Sequence, residues 1–102
     1  MSKITSFTNL IAWQESHKLV VQIYKVTQIF PKEETFGLTN QIRRATVSIS
    51  SNIAEGFSRT TLIDKNRFYI MAKGSLTEVQ SQLLIARDVN YLKKEIFYEL
   101  AN

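Results

Sequence analysis

The residue types that carry catalysis or hold metal ions are scarce in this sequence and are not spaced for either task. His17 is the single histidine, cysteine is absent, and the acidic residues are scattered. Zinc and other transition-metal sites draw on clusters of such ligands. No arginine precedes His17, so the arginine–histidine spacing of helical-bundle ribonucleases is missing as well. The sequence therefore predicts no catalytic residue, no metal site and no cofactor, and His17 is expected to pack at the edge of a core.

Polar side chains that could recognise a partner form a stripe along one predicted helix. Residues 41–56 read QIRRATVSISSNIAEG. At 100° per residue, one face of this helix is apolar and a polar stripe runs beside it. The stripe contains Gln41, Arg44, Ser48, Ser51, Asn52 and Glu55. It is either a seam that fixes the register between helices or a polar recognition surface.

The two charged residues at the ends of the stripe are too far apart to form an ion pair with each other. Arg44 and Glu55 are eleven residues apart, which places them roughly 16 Å apart along a helix axis. We therefore expect each to be partly buried and bonded to another helix, with at least one partner on a second chain.

Positive charge is concentrated in the middle of the chain. Residues 40–75 contain six lysines or arginines and two acids, whereas residues 1–39 carry a net +1 and residues 76–102 a net −1. A localised basic excess indicates contact with a polyanion. The candidate nucleic-acid-binding residues are Arg43, Arg59, Lys65, Arg67 and Lys73. Arg43 is expected to point away from the core, and the alternative for Lys65 and Lys73 is an ordinary solvated face.

Length and composition indicate one domain over residues 1–102. Hydrophobic residues make up 44% of the chain and charged residues 22%, as in soluble globular proteins. One proline and three glycines favour long helices over a fold with many turns. The absence of cysteine excludes a disulfide scaffold. No apolar run is long enough for a signal peptide or a membrane span, so a cytoplasmic protein is expected.

Apolar periodicity predicts a first helix over about residues 9–30 and a second that ends at residue 56. Pro31 ends the first, because a proline pushes the residue before it out of the α region. Thr39 is a plausible N-cap of the second helix, with Thr35 as its competitor. Gly56 suits the left-handed position that follows a helix end.

The third helix should begin after Thr60 or Thr61 and end near Asn90. Gly74 lies in its middle, where glycine costs about 1 kcal/mol relative to alanine, and is expected to mark a close backbone contact. A fourth, much shorter helix should begin at Lys93. These elements predict an all-α, antiparallel up-down four-helix bundle with a short or truncated fourth helix. The apolar stripes of the first and third helices are wider than one core needs, which favours self-association.

Several segments carry a family resemblance that spans about residues 13–91. They are Trp13-Gln14, Phe30-Pro31, Gly37-Leu38, QIRRA at 41–45, Ser48-Ile49, NIAEG at 52–56, Arg59, Phe68, Gly74-Ser75-Leu76 and Glu78. In these the chain resembles the small four-helix-bundle proteins encoded in intervening sequences of bacterial 23S ribosomal RNA genes. The resemblance implies a bundle that assembles as a pentameric ring, and it implies no activity. That family carries a full fourth helix, from which the short one here departs.

A more distant resemblance is to the accessory protein of diversity-generating retroelements. It implies a basic pentameric barrel that binds a reverse transcriptase and nucleic acid. Together these patterns predict a non-enzymatic homo-oligomer, not associated with membranes, that contacts RNA or DNA through its basic surface. The rival hypothesis is an interaction scaffold with no nucleic-acid role, in which the polar stripe serves assembly alone.

Overall fold

The computed structural model describes residues 6–101, and four α-helices account for most of them. The helices are α1 (Ile11–Thr27), α2 (Leu38–Ser58), α3 (Leu62–Asp88) and α4 (Lys94–Ala101). Single 3-10 turns precede α1 and α2, at Phe7–Asn9 and Lys32–Glu34. No strand occurs among the described residues. The predicted all-α bundle with a short fourth helix is confirmed.

α2 is the central element, because α1 and α3 pack mainly against it rather than against each other. Arg43 contacts Thr27 at one end of α1, while Ile53 and Ile11 line one cavity near the other, so α1 and α2 are antiparallel. Each helix contributes an apolar face to one core, as the periodicity predicts. The buried core consists of Ile23, Phe30, Ile42, Ala45, Ile49, Val79, Leu83, Ala86, Leu92 and Phe97.

The start of α2 differs from the prediction. Thr39 is not the N-cap but lies inside the helix, buried, and Gly37 occupies the N-cap position. The Leu38 N–H, the first backbone donor of α2 and one without an acceptor inside the helix, instead donates to the Glu34 carboxylate at 3.1 Å. A carboxylate at this position is also favoured by the helix dipole. The cap therefore comes from the preceding turn, which a search for Ser or Thr at the boundary misses.

Both glycine predictions were wrong. Gly56 does not end α2, which continues to Ser58, and no glycine among residues 6–101 has a positive φ. Gly56 is instead the site of close helix approach, because an added Cβ would lie 2.6 Å from Cε1 of Tyr69 on α3. Gly74, for which close contact was predicted, has nothing within 4 Å of the corresponding position.

The ends of α3 agree with the prediction. The Thr61 hydroxyl accepts a hydrogen bond from the Asp64 N–H at 3.1 Å, which makes Thr61 the N-cap. Asn90 follows the helix with a φ of 67°, the left-handed conformation that asparagine tolerates. The Tyr91 N–H reaches back to the Ala86 carbonyl at 2.9 Å, which closes a Schellman turn.

Candidate interaction surfaces

The middle of the polar stripe joins α2 to α3. The hydroxyls of Ser48 and Ser75 lie 2.9 Å apart across the two helices. Asn52 donates from its side-chain amide to the Ser48 carbonyl at 2.9 Å and to the Ser48 hydroxyl at 3.0 Å. The two stripe residues in this network, Ser48 and Asn52, are half-buried. This part of the stripe acts as a seam that holds the register of α2 against α3.

The charged ends of the stripe are exposed and make no bond to another helix. Glu55 pairs with Arg59 at 3.1 Å, four residues further along the chain, and both side chains remain about half exposed. Arg44 makes no hydrogen bond or ion pair with any residue in the range 6–101. Gln41, at the start of the stripe, is exposed as well. Within one chain the expectation of partly buried, bonded ends is therefore not met.

Arg43 does not point away from the core, and that prediction was wrong. Its Nε donates to the hydroxyl of the buried Thr27 at 2.8 Å. Its guanidinium lies 4.6 Å from the ring centroid of Tyr24, a cation–π contact. Both partners belong to α1, which occupies the flank of α2 from which Arg43 projects. Arg43 therefore links two helices instead of standing free in solvent.

Lys65 is also committed within the chain. Its Nζ donates to the carbonyl of Phe57 at 2.8 Å and to that of Gly56 at 3.3 Å. These are two of the last carbonyls of α2, where the helix dipole favours a cation. Lys65 thus caps the end of α2 from the first turn of α3. Its substitution would therefore lower the stability of the bundle.

Arg59 and Arg67 are the two basic candidates that the fold brings together. They line one shallow hollow of about 470 Å³ on the surface of α2 and α3. The Arg59 guanidinium stacks 4.5 Å from the Phe68 ring centroid, and Arg67 lies 3.7 Å from Asp64 with its side chain 76% exposed. Lys73 is not part of this hollow but lines a separate cavity between α1 and α3. The five candidates therefore do not form one basic patch.

The exposed side of α3 carries an apolar surface that the core does not use. We call this surface the outer face; it consists of Ile63, Ile70, Met71, Gly74 and Ile85. Ile63 and Ile70 are 77% and 68% exposed, and Met71 and Ile85 are about half exposed. Counted at 100° per residue, they lie within about 100° of one another on the side of the helix away from the buried Val79 and Ala86, a side that also carries Arg67, Glu78 and Ser81. α3 is therefore apolar on two sides, and only one of them is covered by the chain.

A polar contact that the sequence analysis did not anticipate joins the α3–α4 corner to the start of α2. The Tyr91 hydroxyl donates to the Glu34 carboxylate at 2.9 Å, and the other carboxylate oxygen accepts the Leu38 N–H. These two hydrogen bonds, the backbone one first, lower the pKa of Glu34 below its ordinary value. The same carboxylate raises the pKa of Tyr91. No sequence signal marks this pair, because 57 residues separate its members.

His17 is exposed instead of lying at the edge of a core, and its ring stacks on Trp13 at 4.8 Å. Across residues 6–101, no three histidine, aspartate or glutamate side chains are grouped so that they could hold a metal ion. None of the helices in that range is both long and apolar enough to cross a membrane.

Comparison with known proteins identifies a family. A family model described as "23S rRNA-intervening sequence protein" matches residues 8–102, nearly the whole chain. A search among curated proteins gives no match.

Proposed function

Because the chain belongs to the family of 23S rRNA-intervening sequence proteins, we propose that it is a non-enzymatic protein that assembles with copies of itself through the outer face of α3. The observation that carries this proposal is the uncovered apolar side of α3, with Ile63 and Ile70 largely in solvent. Complete burial of one such side chain stabilises a contact by about 1.5–3 kcal/mol. Several exposed apolar side chains on one side of a helix favour an interface over a free surface.

The position of Gly74 on the outer face is a second argument that this surface is an interface. It costs α3 about 1 kcal/mol relative to alanine, yet it makes no close contact within the chain. A glycine on an interhelical surface lets a second backbone approach closely, so a neighbouring copy would supply the contact that is missing here.

The assembly proposal is tested by the mass in solution. Light scattering of the parent protein should give several times the chain mass of 11.8 kDa, and five copies are what the family resemblance implies. Ile70→Glu should reduce the mass, because the change would bury a carboxylate between subunits. Ile29→Glu is the matched control, since Ile29 is 69% exposed and lies outside α3. A monomeric parent, or an equal loss of mass in both variants, would contradict the proposal.

Nucleic-acid association is a second candidate, supported by the hollow that holds Arg59 and Arg67. The Arg59 guanidinium lies on the Phe68 ring and Arg67 lines the same hollow, an arrangement that suits phosphate contact together with stacking on a base. Ile70 and Met71 of the outer face also line this hollow, so phosphate contact here competes with assembly through that face.

RNA binding measured at two salt concentrations tests this candidate. Binding should weaken steeply with salt, and Arg67→Glu should weaken it further and reduce the salt dependence. Lys94→Glu makes the same charge change at an exposed site on α4 and should have a smaller effect. Equal effects of the two variants would mean that only net charge matters. Arg43 and Lys65 are unsuitable for this test, because their substitution removes contacts that hold the bundle together.

A further inference from the structure

A polar pocket of about 450 Å³ opens on the side of α2 that is turned away from the core. We call it the α2 pocket; the residues that line it are Tyr24, Asn40, Arg43, Arg44, Val47 and Ser48. Asn40, Arg44 and Val47 are exposed at i, i+4 and i+7 spacing, which places them on one side of the helix. The apolar groove that opens between α1 and α3 meets the opposite side of α2, at Ile49 and Ile53. The α2 pocket is therefore separate from that groove.

Arg43 lines the α2 pocket with a guanidinium that is already held in place. Its Nε donates to the Thr27 hydroxyl at 2.8 Å, and its Nη2 donates to the Tyr24 carbonyl at 3.4 Å. The guanidinium carbon also lies 4.6 Å from the centroid of the Tyr24 ring. These contacts leave Nη1 and one N–H of Nη2 free for another acceptor. Because they fix the orientation of the group, binding an anion here costs little additional side-chain entropy.

Arg44 brings a second guanidinium to the same pocket. It forms no hydrogen bond or ion pair within residues 6–101. No aspartate or glutamate from the described part of the chain lines the pocket, so its two positive charges have no counter-ion there. The hollow of Arg59 and Arg67 is different. Asp64 lines that hollow, and Arg59 is already paired with Glu55. Of the two, the α2 pocket therefore has the larger excess of positive charge.

A smaller pocket of about 230 Å³ adjoins the α2 pocket, and Asn40 and Arg43 line both. Thr39 lines the smaller pocket, is only 8% exposed, and forms no side-chain hydrogen bond within residues 6–101. Thr35 adds a second hydroxyl. The charge of Lys32, which also lines this pocket, is opposed by the negative C-terminal end of α1. The smaller pocket therefore suits neutral groups that donate and accept hydrogen bonds, such as hydroxyls.

The charge and the size of the α2 pocket indicate the class of ligand. A phosphate monoester carries a charge of about −1.5 to −2 at neutral pH, whereas a carboxylate carries a single charge, so the phosphate balances two guanidinium groups better. Beyond Arg44, the exposed side of α2 carries Val47, Ser51 and Glu55 and no further cation. A nucleic-acid strand along this side would therefore find no partner for its other phosphates. The volume also lies in the range of small-molecule sites, roughly 300–1,000 Å³.

We propose that the α2 pocket binds the phosphate group of a small phosphate ester between Arg43 and Arg44, with the hydroxyl-bearing organic part in the smaller pocket. Arg43 supplies donors of fixed direction, and the exposed Arg44 contacts the phosphate from the solvent side. The site is built from α1, α2 and the segment between them. The proposal therefore does not depend on assembly through the outer face of α3.

Titration of the ¹⁵N-labelled chain with glycerol 3-phosphate at constant ionic strength tests this site. Saturable chemical-shift changes are expected at the amides of Asn40, Arg44 and Val47 and at the Nε–H of Arg43. Inorganic phosphate should shift the same signals with lower affinity, because it leaves the smaller pocket empty. Arg44→Ala should weaken binding at least about tenfold, and it removes no bond within residues 6–101. Arg67→Ala is the matched control, since it removes the same charge from the other hollow and should leave the affinity unchanged.

Further ligands and one conservative variant distinguish this site from its alternatives. Arg44→Lys keeps the charge without the planar fork and should restore part of the affinity. Equal losses in Arg44→Ala and Arg67→Ala would overturn the proposal, because only net charge would then matter. Acetate binding as tightly as inorganic phosphate, or glycerol 3-phosphate binding no more tightly than inorganic phosphate, would also contradict it.

Two results would assign the pocket to a macromolecule instead. The first is binding of single-stranded RNA that depends on Arg44 when glycerol 3-phosphate does not bind. The second is a shift of the Asn40 and Val47 amides with protein concentration alone, which would place a second copy of the chain on the pocket. Either result would overturn the proposal.

Discussion

Most of the cations in the basic middle segment are bonded to groups of their own chain. Arg43 bonds to Thr27, Lys65 to backbone carbonyls of α2, and Arg59 to Glu55. A cation with a well-placed partner must give up that contact before it binds a phosphate. The positive charge available to a polyanion is therefore smaller than the net charge suggests. The residues best able to supply it are Arg44 and Lys73, which are exposed, and Arg67, whose side chain is 76% exposed beside Asp64.

The hydrogen bonds of Glu34 make the bundle sensitive to acid. The pKa of Glu34 is lowered in the folded state, first by the Leu38 N–H and then by the Tyr91 hydroxyl. A lowered carboxyl pKa contributes stability that is fully present above the unfolded pKa, near 4.5, and is lost as the pH falls through the folded value. Glu34→Gln should therefore reduce the dependence of Tm on pH in this acidic range.

Two variants complete this experiment, with Tm followed by circular dichroism from neutral to acidic pH. Tyr91→Phe should reduce the pH dependence partially, because the larger contribution of the Leu38 N–H remains. Glu33→Gln is the control, since Glu33 is exposed and adjacent but bonds to neither Leu38 nor Tyr91. A Glu34→Gln curve parallel to that of the parent would show that these hydrogen bonds do not govern acid stability.

At the scale of the elements, α3 determines how the molecule can interact. It contributes Val79, Leu83 and Ala86 to the core, yet it also exposes isoleucines on its outer face and leucines along the groove. A helix that is apolar on more than one side is normally covered on more than one side. The packing of α2 against α3 is correspondingly close, with Tyr69 lying directly over Gly56.

The two helical glycines are expected to respond oppositely to alanine. Gly56→Ala should destabilise the protein by about 1–3 kcal/mol, because the new methyl group overlaps the Tyr69 ring and forces α2 and α3 apart. Gly74→Ala meets open space within the chain and should stabilise α3 by up to about 1 kcal/mol. Urea unfolding of each variant in the Ile70→Glu background, where assembly is expected to be weaker, measures both changes in the free energy of unfolding without the contribution of a neighbouring copy. Changes of the same sign would show that close approach at Gly56 is relieved by movement of the Tyr69 side chain.

At the scale of the whole molecule, two uncovered apolar surfaces lie on different sides of one small bundle. The outer face belongs to α3 alone, whereas the groove needs α1, α2 and α3 together. Substitutions at Ile70 and at Leu76 therefore change different surfaces of the bundle.

The sequence by itself determined the class of fold and the limits of α3, because both depend on local patterns. Apolar periodicity identified the core faces, Thr61 and Asn90 marked the ends of α3, and the QIRRA and NIAEG segments indicated the family. These features are decided within a few residues of the chain, by backbone hydrogen bonds and by the 3.6-residue period.

Only the tertiary structure decided which side chains are bonded and which surfaces stay open. Arg43 lies at the border of the apolar face of α2, and whether it meets solvent or Thr27 depends on where α1 packs. The different roles of Gly56 and Gly74 likewise depend on whether a neighbouring helix lies above them. The Glu34–Tyr91 bond and the groove arise between segments that are distant in the chain. Periodicity gives the direction in which a side chain projects, but the neighbour it meets there is set by how the helices pack.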